Sequence, residues 1–192
     1  MILKDSKILF IFWIRSLLEF GFEAHKKVIQ KELPTRGKIL DVGCGIGNLA
    51  THFSQRFYYG IDIDVSRIDY AKKHFKGNFL LASATKLPFK EKFFDGILVV
   101  ALFHHLDGKD VPDAIEELKR VVKKNGRVVV IEDYRPTFRQ NPLIHALYSV
   151  DFSGKFRDVS YYKTLFSRSF QLHKFYPLNS GLWQYQVYVL EK

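Results

Sequence analysis

Apolar positions along this chain alternate between helical spacing and short buried runs. Residues 4–32 read as helical, and Pro34 with Gly37 ends them. Short apolar runs at 38–43, 57–62, 78–83 and 94–100 predict strands, with helices expected over about 48–56 and 66–75 between them. Asp110 or its neighbours open a further helix, in which Val111, Ile115, Leu118 and Val122 keep helical spacing. Asn125-Gly126 then turns the chain into Arg127-Val128-Val129-Val130-Ile131, a continuous apolar run of the kind buried in parallel sheets. Pro136 and Pro142 break any long element after it, leaving short helices at Leu143–Val150 and Tyr161–Ser169. Two last runs, 170–176 and 182–190, alternate apolar and polar residues and fit a closing antiparallel hairpin. Strands that alternate with helices predict an α/β layered fold.

The stretch Ile39-Leu40-Asp41-Val42-Gly43-Cys44-Gly45-Ile46-Gly47-Asn48 narrows this picture. It is a buried strand running into a glycine-rich turn at a helix start, so a ligand can lie on bare backbone. A dinucleotide fingerprint spaces its glycines differently, and here the third comes one residue early. A pyrophosphate also disfavours a nearby anion, yet Asp41 precedes the turn. That acid suits a cofactor with a cationic amino-acid end. Asp62 closes the next strand 15 residues after Gly47, where a carboxylate can accept hydrogen bonds from both ribose hydroxyls. Ile63 beside it offers an apolar surface to an adenine.

The pattern Asp-x-Gly-x-Gly-x-Gly resembles motif I of class I S-adenosylmethionine-dependent methyltransferases. Ala84-x-x-Leu87-Pro88-Phe89, Phe94-Asp95-Gly96 and Leu102-Phe103-His104-His105-Leu106 follow in order. Together they resemble the small-molecule branch typified by quinone-biosynthesis enzymes, well over residues 36–133 and in outline elsewhere. The resemblance implies a Rossmann-like α/β fold: a seven-stranded sheet of order 3-2-1-4-5-7-6, strand seven antiparallel, with helices on both faces. It implies S-adenosylmethionine as cofactor, with Asp41, Gly43, Gly45, Gly47, Asp62, Ile63, Ser83, Ala84 and Val100 as the binding set. Val100 and Ala101 would offer backbone contacts near the methionyl part. One departure stands out: the branch usually carries an acid at the position of Ser83. Serine accepts a weaker hydrogen bond than a carboxylate. Adenine recognition would then fall to the backbone of Ala84, or the chain would be a non-catalytic scaffold descended from the fold.

Length and composition fit this reading. The 192 residues make one α/β domain, with 1–35 as an N-terminal helical segment and 134–169 as a substrate-side insertion. The lone Cys44 excludes an intramolecular disulfide and argues against thiol-dependent arsenic methylation. Ile8–Ile14 is too short to span a bilayer and lacks a following cleavage site. It is expected to pack on the sheet or over the cofactor pocket; residues 1–20, with Lys4, Lys7 and Arg15, could instead touch a membrane surface or a second copy. The expected location is cytoplasmic. Net charge is +10, which permits nucleic-acid binding without requiring it. Lys119, Arg120, Lys123, Lys124 and Arg127 sit where a helix end accounts for them. The seven basic residues against two acids between 134 and 174 make that stretch the better partner-facing surface.

Catalytic candidates belong at the carboxyl ends of the fourth and fifth strands. His104 and His105 lie after the fourth, and at most one should face the pocket; capping or packing is the alternative role. Glu132, Asp133 and Tyr134 follow the fifth, either as a solvated strand end or as acceptor-orienting groups. His145 reads more simply as a partly buried helix residue than as a substrate group, and Phe138, Tyr148, Phe152, Phe156, Tyr161 and Tyr162 suit an apolar or planar acceptor pocket. The seven histidines show no zinc-type spacing with carboxylates, so no metal site is expected. The function expected is methyl transfer to a small, aromatic or lipid-like acceptor by in-line displacement, with an RNA or tRNA acceptor as the alternative.

Overall fold

A computed structural model describes residues 16–19, 22–133 and 155–192. Its elements are α1 (Glu23–Glu32), β1 (Ile39–Val42), β2 (Tyr58–Asp62), α2 (Val65–His74), β3 (Asn78–Leu81), β4 (Phe94–Val100), α3 (Asp110–Val121), β5 (Val122–Asp133), α4 (Val159–Ser169), β6 (Gln171–Ser180) and β7 (Trp183–Glu191). The seven strands form one sheet in the order β3-β2-β1-β4-β5-β7-β6. Strands β1 to β5 pair in parallel, while β7 runs antiparallel to both β5 and β6. The expected topology is therefore present.

Alternation along the central strands divides the core. Ile97, Val99, Val128 and Val130 face Val111, Ile115 and Leu118 of α3 and Tyr162 and Phe166 of α4. Leu98, Val129 and Ile131 face the other way, onto Val28, Ile29 and Leu33 at α1. Tyr58 and Phe79 pack under Ile68 and Ala71 of α2. With both faces covered, the strands lack the polar positions of a half-exposed sheet, which explains their unbroken apolar runs.

Four expected boundaries are corrected. The helix expected over 48–56 is one 3₁₀ turn, Asn48–His52. Phe53 leaves it in an extended conformation, and its ring stacks on Tyr58 at 5.4 Å. The helical stretch expected over 4–32 is interrupted at Phe22, whose φ of 62° is left-handed, and residues 1–15 and 20–21 lie outside the described residues. The strand expected over 78–83 ends at Leu81, because Ser83 enters a turn bridged to Lys86. The fifth strand begins earlier than Arg127, since Val122 already pairs with Phe94.

Most of the basic cluster at the end of α3 has specific partners. Arg120 grips Glu117 and donates to the carbonyls of Phe89 and Leu87. Lys123 reaches Asp95, and Arg127 reaches Glu191 and the Glu32 carbonyl. No helix among the described residues is long and apolar enough to cross a membrane.

Candidate active site

The carboxyl ends of β1 and β2 are tied together around one acid. Gly43 and Cys44 both donate to the Ile61 carbonyl at 2.8 Å, which folds the glycine turn back over β2. Gly45 then donates its amide to Asp62 Oδ2 at 2.9 Å. The other oxygen, Oδ1, accepts the amide of Asp64 at 2.9 Å. That contact closes an Asx turn over the intervening residue. Asp64 in turn caps α2 by accepting from Ser66 and Arg67; the Ser66 hydroxyl, chiefly, holds its carboxyl below the usual range. Ile63, pinned between two anchored acids, is left 75% exposed.

This arrangement fits the adenosine half of a cofactor. Asp62 is buried, yet two amides occupy only two of the roughly four lone-pair directions a carboxylate offers. The rest suit a ribose diol. Ile63 supplies an apolar surface that nothing in the described chain covers. At Gly45 a Cβ would meet no atom within 4 Å, so the turn faces open space there. Gly47 differs: a Cβ would lie 2.9 Å from Ala71 and Phe79, so it serves close packing on α2.

Two expected binding residues are occupied internally. Asp41 is 1% exposed and accepts the Tyr58 hydroxyl at 2.7 Å. Burial pushes its carboxyl up to about 7, against the lowering effect of Tyr58, with the Asp62 charge adding to the rise. Ser83 shares its hydroxyl with Thr85 at 2.8 Å and accepts the Thr85 amide, so it serves its own turn. Ala84 beside it is buried. Val100 is half-buried at the end of β4, where Ala101 takes a left-handed φ of 50° and donates to the Ile131 carbonyl.

His104 and His105 differ in exposure, although their ring centroids lie 4.0 Å apart. His105 is exposed, whereas His104 is 1% exposed in the short turn Phe103–His105. Glu132 braces that turn: it accepts the amides of Phe103 at 2.9 Å and His104 at 3.3 Å, and it bonds His104 Nδ1. The second ring nitrogen lies 3.5 Å from Asp133 Oδ2. Arg157 clamps the same segment from outside, donating to the carbonyls of Phe103 and Leu106. Phe156 stacks on the His104 ring at 5.3 Å. Glu132 and Asp133 are thus buried, not a solvated strand end, because the imidazole and two amides replace water around them. Tyr134, Phe138, His145, Tyr148 and Phe152 lie outside the described residues.

His104, Glu132 and Asp133 bring metal-ligand atoms within 4.8 Å of one another, which chain spacing could not show because they come from separate strand ends. Both Glu132 oxygens already accept N–H donors, which leaves little lone-pair capacity for a cation. Sequence reasoning also missed Tyr58, which reads as one more apolar strand residue.

A family model described as a methyltransferase domain matches residues 40–130, the span from β1 to β5. The tRNA (carboxymethyluridine(34)-5-O)-methyltransferase of Arabidopsis thaliana is 38% identical over 102 residues, 52% of this chain but only 25% of that protein. Demethylmenaquinone methyltransferase of Thermotoga maritima is 29% identical over 168 residues, 79% of this chain and 72% of its own length. A crystal structure from Thermotoga maritima, described as a SAM-dependent methyltransferase and possible histamine N-methyltransferase, shares the fold. Its TM-score is 0.75 at 19% identity, over 96% of this chain and 95% of that one. The glycine turn tied to Asp62, the sheet order and these matches agree: over β1 to β5 the chain carries a match to a methyltransferase domain and resembles the class I S-adenosylmethionine-dependent methyltransferases.

Proposed function

We propose that this chain methylates a small-molecule acceptor held over the carboxyl ends of β4 and β5. The observation that carries the reading is the end of β2, where buried Asp62 holds the Gly45 amide and exposed Ile63 stands beside it. Asp62 would hold the ribose, Ile63 the adenine, and the turn from Gly43 to Gly47 the methionyl part. When bound, the cofactor supplies an activated methyl group on a sulfonium. The remaining work is orientation, which can contribute about 7–11 kcal/mol when reacting atoms are well aligned. His104 would hold or pass the acceptor's proton, with its ring fixed by Glu132 and faced by Asp133. His105 and Tyr134 are the other candidates for that proton.

A planar, apolar acceptor is supported by the Thermotoga maritima relative's name and by Phe156 and Tyr161 near the clamp. An RNA acceptor is the second reading, favoured by the plant relative's name and the charge of +10.

Thermal unfolding with S-adenosylhomocysteine tests the cofactor site. Ligand at 100-fold over its dissociation constant should add about 2.7 kcal/mol, or roughly 5–10 °C. Radiolabelled methyl transfer then separates the acceptors. Label in hydroquinones supports the proposal, and label in bulk tRNA favours the second reading. Binding without transfer to either class would favour a scaffold.

A further inference from the structure

A cavity of about 630 Å³ opens at the opposite end of the sheet from the glycine turn, where β1 begins. The 3₁₀ helix stops at His52, and the chain that follows it lines one side of the cavity through Phe53, Ser54 and Phe57. Its walls are Ile29 and Leu33 at α1, with Phe53 and Phe57 after the short helix. Arg36 and His52 stand among the polar groups that line it, and no carboxylate does. Among the described residues no hydrogen bond or ion pair engages Arg36. A second cation, Arg56, lies 5.5 Å from the Phe57 ring. Burial and nearby Lys26 hold the His52 imidazole below its ordinary range, so Arg36 is the dependable charge.

We propose that this cavity binds a small amphipathic anion, with an apolar planar or acyl body between α1 and Phe53 and a carboxylate, sulfonate or phosphate at Arg36. The volume lies within the 300–1,000 Å³ typical of small-ligand sites. A cation without an ion pair among the described residues, standing over apolar walls, selects for that chemistry, since a neutral apolar ligand leaves Arg36 unused and a polar anion leaves the walls wet. The site is separate from the cofactor's: Gly47 and His52 stand at opposite ends of the same short 3₁₀ helix.

Isothermal titration of the full chain with anilinonaphthalene sulfonate tests this. We expect saturable binding at one site per chain, about tenfold weaker in Arg36→Glu and abolished in Ser54→Trp, which fills the cavity from an exposed position. S-adenosylhomocysteine should bind both variants as it binds the parent, and should not displace the probe. The proposal is overturned if the probe does not bind, if both variants bind it unchanged, or if S-adenosylhomocysteine competes with it. Loss of S-adenosylhomocysteine binding in the parent would count against the cofactor assignment and leave the cavity result intact.

Discussion

Tyr58, the first residue of β2, donates its hydroxyl to Asp41 Oδ2 at 2.7 Å inside the sheet layer. The unfolded chain releases the Asp41 proton near 3.8, whereas burial holds it in the fold until about 7. Between those values the folded state binds more protons, so this group's contribution to stability falls as pH rises and levels off above about 7. Asp41→Asn removes the titration and keeps an acceptor for Tyr58. Relative to the parent, the Asn variant should gain on the order of 3 kcal/mol between pH 4 and pH 7.5. Urea midpoints across that range measure it, and parallel pH profiles for the two proteins would refute it.

Gly45 and Gly47 should respond differently to the same substitution. Both take left-handed φ values, 55° and 81°, so alanine at either costs about 1 kcal/mol of backbone strain. Gly47→Ala must also displace Ala71 or Phe79, so it should be the less stable variant by a further 1–3 kcal/mol or so. Gly45→Ala meets no protein atom, and its methyl would project into the space assigned to the cofactor. Its S-adenosylhomocysteine affinity should fall at least tenfold with little further loss of stability. Calorimetric titration and thermal unfolding of both proteins give the comparison. Parental affinity in Gly45→Ala would move the cofactor away from this turn.

Glu132 is a fold staple before it is anything else. Glu132→Ala strands two backbone amides and the His104 ring in a buried site, which should cost about 3–5 kcal/mol. For a chain of 192 residues that lowers the unfolding midpoint by roughly 10 °C. Glu132→Gln keeps one acceptor and should recover part of the loss. Equal midpoints for Ala and Gln would mean that the amides are satisfied in some other way.

Most element limits and the acid at the end of β2 were legible because each is local, whereas the strand order followed only from the resemblance to class I methyltransferases. Alternation, glycine spacing and the distance from Gly47 to Asp62 all sit within one βαβ unit. What failed was where a side chain overrides local preference. Thr51–Arg56 carries nothing that forbids a helix, but stacking Phe53 on Tyr58 ends one. Phe22 adopts a backbone conformation that phenylalanine rarely takes, so no sequence signal marks the break before α1. The pairing of His104 with Glu132 joins residues 28 apart at two strand ends. Reading it needs the β4–β5 register, in which Val100 faces Ile131, and sequence spacing does not supply that.

Ile63 gives the cleanest separation of binding from folding. At 75% exposed it contributes little to the core, so Ile63→Ser should change stability by no more than about 0.5 kcal/mol. If an adenine ring covers this side chain, removing its apolar surface takes away part of the 1.5–3 kcal/mol or so that full burial of an isoleucine is worth. A loss of about 1.4 kcal/mol, or tenfold in the dissociation constant for S-adenosylhomocysteine, is the expected result. Phe57→Ser is the control: Phe57 is also exposed, at 38%, but it stands at the other end of the sheet and should leave the affinity unchanged. Because neither variant disturbs the Asp62–Gly45 contact, a weakened Ile63→Ser beside an intact Phe57→Ser locates the adenine at the end of β2. Equal affinities for Ile63→Ser and the parent would remove Ile63 from the binding set and leave its exposure without a function.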